Sequence, residues 1–174
     1  MENLHYPIGK FIPLDKISSD QRKEWIAQLA DTPNQLRFAI KDLTSAQLDT
    51  PYRPDGWSVR QVVHHLPDSH MNAYVRFKLA LTEDQPTIKT YEEDRWSQLV
   101  DYQGTPIEVS LTLLASLHQR FDTLLSEMQD AEFARSYKNP ESGVLTLETA
   151  LGLYAWHGRH HIAHITSLRN RMGW

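Results

Sequence analysis

The stretch Leu153-Tyr154-Ala155-Trp156-His157-Gly158-Arg159-His160-His161-Ile162-Ala163-His164-Ile165 governs how the rest of the chain is read, because it holds four of the nine histidines. At about 100° per residue, His157 and His161 share one helical face, one turn apart. Two nitrogens at that spacing are able to grip one metal ion. On a wheel with His157 at the origin, Leu147, Ala150, Leu151, Tyr154, His161, Ile165, Leu168 and Met172 fall within an arc of about 100°. This is the expected buried face. An imidazole pointing there without a partner is costly, and a metal would satisfy it. His164 lies just outside the arc as a candidate support for the ligands, and His160 lies further round, where solvent is expected. A third ligand must come from elsewhere in the chain.

Working outward, Thr146 caps this last helix, and the preceding connection from Asp130 to Leu145 carries Asn139-Pro140 and Gly143. A third long helix is expected from Thr105-Pro106, with threonine as N-cap and proline at the first helical position. Its apolar stripe runs through Leu111, Leu114, Leu117, Phe121, Leu124 and Leu125, and His118 among them reads as a core or interface histidine outside the site. Glu83 to Thr105 is a second long connection, with a short helix expected near Glu92 to Val100. Before it, Ser58 and Gln61 form a capping box opening a helix from Val59 to about Leu81, which Pro67 should bend. The first long helix starts at Ser18, with Gln21 reaching back, and Thr32-Pro33 predicts a kink or two abutting helices. Thr44 to Leu48 reads as a further capped turn.

Four long amphipathic helices without a convincing alternating strand predict an all-α four-helix bundle. Long crossover connections allow the second and third helices to run parallel, so an up-down-down-up order is expected over a simple meander. At 174 residues with no shift in composition, the chain reads as a single domain spanning 1–174. A net charge of -4 and 23% charged residues argue against a nucleic-acid partner. Without cysteine, histidine and carboxylate are the strong ligand types that remain. Met1 through Ile12 has neither signal-peptide nor anchor character, and no apolar run approaches the roughly 20 residues of a membrane span. No membrane association is expected, and the expected compartment is the cytoplasm.

Candidates for the third ligand are His64, His65 and His70 on the second long helix. Periodicity alone favours His70 at the middle of the apolar face over His65 at its edge and His64 on the opposite side. Asp68 reads as a solvated carboxylate on a polar flank, and Trp57 and Trp156, which flank ligand positions, read as packing residues ahead of pocket walls.

Gly56-Trp57-Ser58-Val59-Arg60-Gln61-Val62-Val63-His64-His65-Leu66, together with the stretch from Leu153 to Ile165, resembles the DinB/YfiT-like family, most closely its YfiT-type proposed metal-dependent hydrolases. Helix order and the two long connections are similar as well, so the resemblance covers essentially the whole chain and implies a DinB-like bundle. It also implies that a histidine eight residues after the tryptophan joins the H-x-x-x-H pair of the last helix. By position the metal ligands are then His65, His157 and His161. Pro67 and His164 depart from the family pattern.

Three neutral imidazoles around a divalent ion leave positions open for water or substrate, which is the arrangement of a catalytic site. Zinc and nickel both suit such donors. The expected activity is hydrolysis of a small-molecule substrate by metal-activated water. The resemblance also implies an alternative, a low-molecular-weight thiol (bacillithiol-type) S-transferase, in which the ion activates a thiol cosubstrate. A noncatalytic metal-binding bundle is the third reading, in which His70, His164 or a carboxylate would close the coordination sphere. A homodimer is a further expectation. Spacing singles out no general base.

Overall fold

The computed structural model describes residues 3–174. The Ser18 hydroxyl accepts from the Gln21 amide at 3.1 Å and opens α1 (Ser19–Ala39). Thr44 and Gln47 form a complete capping box on the short α2 (Ser45–Leu48), and Ser58 and Gln61 form another on α3 (Val59–Thr82). Satisfying two amides at a helix start in this way fixes where the helix begins, and hence which residues face inward along it. The crossover then carries α4 (Glu93–Trp96) and α5 (Val100–Gly104), before α6 (Ile107–Glu127), the short α7 (Asp130–Phe133), strands β1 (Ser136–Asn139) and β2 (Gly143–Thr146), and α8 (Leu147–Met172). Thr146 caps α8 by accepting from Thr149 N.

Residue pairs between the long helices fix their directions. Gly152 lies against Trp25, Gly158 lies against Thr32, and Arg169 donates to the Ala39 carbonyl, so α1 and α8 run parallel. Arg37 meets Glu108 while His118 meets Leu29, so α6 runs against α1. His64 with Ser110, His70 with His118 and Phe77 with Phe121 set α6 parallel to α3. The rings of His65 and His161, and the pair Arg76 and Tyr154, set α8 antiparallel to α3. The order is up-down-down-up, with α1 packed on α6 and α8, and α3 packed on the same two helices. The parallel pair α3 and α6 is possible because the Glu83–Pro106 crossover carries the chain back along the bundle.

The interior has two apolar clusters. One gathers Trp25, Leu29, Phe77, Phe121, Tyr137 and Leu151, and the other gathers Leu36, Val62, Val63, Leu114 and Ile165. On each long helix the residues between the two clusters are polar or special: Thr32 and Pro33 on α1, His70 on α3, His118 on α6, and His157 and His161 on α8. A layer of histidines is thus sandwiched at mid-height between apolar packing.

Several local expectations are corrected. Pro33 sits inside one continuous helix, so α1 is not two abutting helices, and α3 likewise continues through Pro67. Thr105 is not the cap of α6: its N–H bonds to Asp101 O and closes α5, while Pro106 takes the N-cap position without a side-chain bond. The connection before α8 contains the antiparallel pair β1–β2, in register from Ser136↔Thr146 to Asn139↔Gly143, with Gly143 at φ +83° in the turn. Strands of four residues are too short to show alternation in sequence, and their pairing is completed by the crossover, where Lys138 N bonds Pro86 O and Ile88 N bonds Lys138 O. Met172 belongs to the expected inner face of α8 but is 52% exposed, because the core ends at Leu168.

Close approach of α1 and α8 depends on Gly152. A Cβ there would lie 2.8 Å from the Trp25 ring, inside van der Waals contact. Gly152→Ala is expected to lower stability by about 1–3 kcal/mol, the usual cost of overpacking, measured as a fall in the urea midpoint. Gly104→Ala, whose new Cβ meets nothing within 4 Å, is the control and should leave the midpoint in place.

Candidate metal centre

The structure brings His65 of α3 together with His157 and His161 of α8, with one ring nitrogen from each within 4.8 Å of the others. His157 Nε2 lies 3.4 Å from His65 Nε2 and 3.1 Å from His161 Nε2. Three donors at 2.0–2.1 Å from a tetrahedral ion would stand about 3.3–3.4 Å apart, so these nitrogens are spaced as the ligands of one ion would be. His65 and His161 are buried, whereas His157 keeps partial exposure.

Burial sets the charge state of the cluster. Desolvation pushes His65 down to about 3, and it holds His157 and His161 well below the ordinary imidazole value, with the neighbouring imidazoles adding to the effect. Neutral rings present lone pairs, which is the form a metal needs. The buried Nδ1 atoms of His65 and His161 find no hydrogen-bond partner among the described residues. His157 differs, since its Nδ1 lies 3.3 Å from His70 Nε2.

His70, at the centre of the inner face of α3, stands behind the cluster. Its Nδ1 is 2.8 Å from His118 Nε2, and His118 Nδ1 is 2.7 Å from the Leu29 carbonyl oxygen. His118 is the core histidine expected, 2% exposed, but it is joined through His70 to the cluster, a link its isolated position in sequence did not reveal. The missing signal was Pro33, whose absent N–H leaves the carbonyl four residues earlier without its helical donor.

The remaining polar positions are also resolved. His160 is buried rather than solvated, because Trp156 stacks on it at 4.5 Å and Tyr6 of the N-terminal lead covers it at 5.7 Å. His164 donates from Nε2 to the His5 carbonyl at 3.2 Å and stacks on Tyr52 at 3.9 Å. It therefore braces the lead rather than joining the cluster. His64 is likewise buried, bonded through Nδ1 to Ser110 Oγ at 2.7 Å, since the side of α3 facing away from α8 is covered by α6 and by Tyr102. Asp68 is not freely solvated: it is half-buried and accepts from the Tyr102 hydroxyl at 2.7 Å, with burial raising its pKa. Trp57 packs as expected, its ring 4.6 Å from His65 and parallel to His161 at 6.1 Å, while its Nε1 donates to Asp94. Trp156 anchors the lead by donating to the Gly9 carbonyl at 3.1 Å.

Four-helix bundles build their ligand and metal sites from side chains on facing helices, and the inward histidines of α3 and α8 form a group that could hold an ion in that way. The chain belongs to the DinB superfamily, whose family model matches residues 28–165. A relative from Bacillus mycoides (strain KBAB4) is 54% identical over 174 residues, covering 100% of both chains, and one from Bacillus cereus (strain B4264) is 53% identical over the same length; the names of both propose a metal-dependent hydrolase. The solved structure of YfiT from Bacillus subtilis, described as an unusual four-helix bundle and proposed to be a metal-dependent hydrolase, superposes with a TM-score of 0.96 at 52% identity over 99% of both chains. TT2238, another four-helix bundle protein, shares the fold at a TM-score of 0.57 and 17% identity, over 81% of this chain and 94% of its own. Among the described residues no helix is long and apolar enough to cross a membrane.

Proposed function

We propose that the chain is a metal-dependent hydrolase in which His65, His157 and His161 hold one divalent ion, zinc or nickel, and that it acts on a small-molecule ester or amide. The observation that carries this reading is the convergence of three neutral imidazole nitrogens, two of the pairs at 3.1 and 3.4 Å. A divalent ion supplies Lewis acidity that lets water attack a carbonyl near neutral pH. The chain's own part is to hold three uncharged donors in place and to keep the site between apolar layers, where electrostatic effects on a substrate are strong. An open coordination position is supported by the engagement of the neighbouring histidines: His70 faces His118 and His157, and His164 is bonded to His5. Neither is free to close the sphere. The names of the relatives point to the same chemistry.

The test is a screen of the zinc-loaded, nickel-loaded and chelator-treated protein against ester and amide substrates, with parallel reactions of a low-molecular-weight thiol and an electrophile. Turnover of an ester or amide that chelation abolishes and one of the metals restores is the expected result. Turnover that needs the thiol and carries it into product would replace hydrolysis by S-transfer. A coordinatively saturated ion and no turnover of any substrate would leave a noncatalytic metal-binding bundle.

A further inference from the structure

We infer that His118 and His70 form a hydrogen-bonded relay that fixes the tautomer and ring orientation of His157, anchored on the Leu29 carbonyl that Pro33 leaves without a helical donor. The inference rests on the reading of His157 as a ligand and adds two positioning residues to it.

The direction of each bond follows from its anchor. In a regular helix the carbonyl of Leu29 would accept from the amide of residue 33, and proline has none. That carbonyl sits in the interior, where an unpaired acceptor is costly, and it receives His118 Nδ1 at 2.7 Å. A carbonyl oxygen only accepts, so His118 Nδ1 carries the proton. Burial keeps His118 neutral at pH 7, so its Nε2 bears a lone pair, and His70 Nδ1 at 2.8 Å must donate to it. In a neutral His70 ring, the form the spectra below report, the other nitrogen, Nε2, is then an acceptor, and the proton in its 3.3 Å contact belongs to His157 Nδ1. The chain of constraints leaves the lone pair of His157 on Nε2, the atom that faces His65 and His161. A histidine ligand usually gives its second N–H to a carboxylate, a carbonyl or water, which fixes its tautomer and raises its basicity. Here two further imidazoles pass that role to a main-chain carbonyl on α1, so all four long helices contribute to the setting of one donor atom. His65 and His161 have no such brace among the described residues.

Two measurements test the relay. Long-range 1H–15N spectra of the full chain with labelled histidine rings, as purified and with zinc added, should show His118 and His70 neutral and protonated at Nδ1 in both samples. Protonation of either at Nε2 would overturn the relay. Zinc affinity, read by competition with a chromophoric chelator, should fall about 10–100-fold in His118→Phe, which keeps a ring but no hydrogen bond. His118→Gln, which places a donor and an acceptor around one carbon as imidazole does, should recover most of that loss. A packing role predicts the reverse order, with Phe tolerated and Gln not, and that order or equal losses would sink the proposal. If the phenylalanine variant fails to fold by circular dichroism, the ring tautomers of the native chain still decide. Failure of the native chain to bind zinc or nickel at all would overturn the hydrolase reading, while the tautomers would continue to report on the relay.

Discussion

Alanine at His65, His157 or His161 is expected to take the protein from one bound divalent ion per chain to none retained through gel filtration. Binding free energies of about 10–16 kcal/mol for four-ligand zinc sites amount to roughly 2.5–4 kcal/mol per ligand, so losing one of three donors weakens binding by on the order of 100- to 1000-fold. His70→Ala should behave differently, holding the ion with reduced affinity, because His70 contacts His157 Nδ1 and not the face where the three Nε2 atoms meet. Elemental analysis of the four variants separates these cases. Full retention by all three ligand variants would refute the assignment, and selective loss in His70→Ala would transfer the third ligand from His65 to His70.

The second large effect is on acid stability. Chelator-treated protein is expected to lose several kcal/mol between pH 6.5 and about pH 4. Each buried histidine binds a proton in the unfolded chain near its ordinary value of 6.5, while in the folded chain burial postpones this to about 4 at His118, His160 and His164. Within that window the unfolded state holds more protons, so stability falls as pH falls, and above 6.5 it is fully present. For the 2%-exposed His118 alone the loss approaches about 3 kcal/mol at 1.36 kcal/mol per pH unit. His160 and His164 add to the fall in the same direction, and about 3 kcal/mol is already a large fraction of the total stability of many domains. Asp68, raised by burial, acts in the opposite direction, but nearer the carboxylate range at the acid end. Urea midpoints at pH 7, 5.5 and 4 check this. A midpoint unchanged from pH 7 to pH 5 would contradict a neutral, buried histidine layer.

Helix starts were readable because capping is local: Ser18, Ser58 and Thr146 each bond an amide three residues on. Chain direction was readable from the length of the crossover, which a parallel pair requires. The choice between His65 and His70 was not readable from periodicity, and the reason is geometric. A wheel finds the middle of the inner face, and His70 sits there, between α6 and α8. A residue that must meet side chains of α8 alone belongs on the flank turned toward that helix, where His65 stands beside His157 and His161. The resemblance to a family, not the pattern of apolar residues, singled out that flank. Burial of His160 escaped because periodicity assumes solvent beyond the bundle, whereas the N-terminal lead lies across that face through Tyr6 and Gly9.

The two helices that follow one another most closely along the first half of the chain, α1 and α3, stand on a diagonal, and so do α6 and α8. No pair of successive long helices can therefore close as a helical hairpin, and α1 acquires its first long neighbour only when α6 has left the ribosome. Contacts such as Arg22 with Glu148, 126 residues apart, set the scale of the loops to be closed. Folding should accordingly be slower than in a simple up-and-down bundle, whose contacts are local. Because α1 and α8 pair in parallel, a nascent protein stopped before α8 lacks two members of the histidine cluster and a principal partner of α1 at once, so the emergence of α8 completes the cluster and the bundle together.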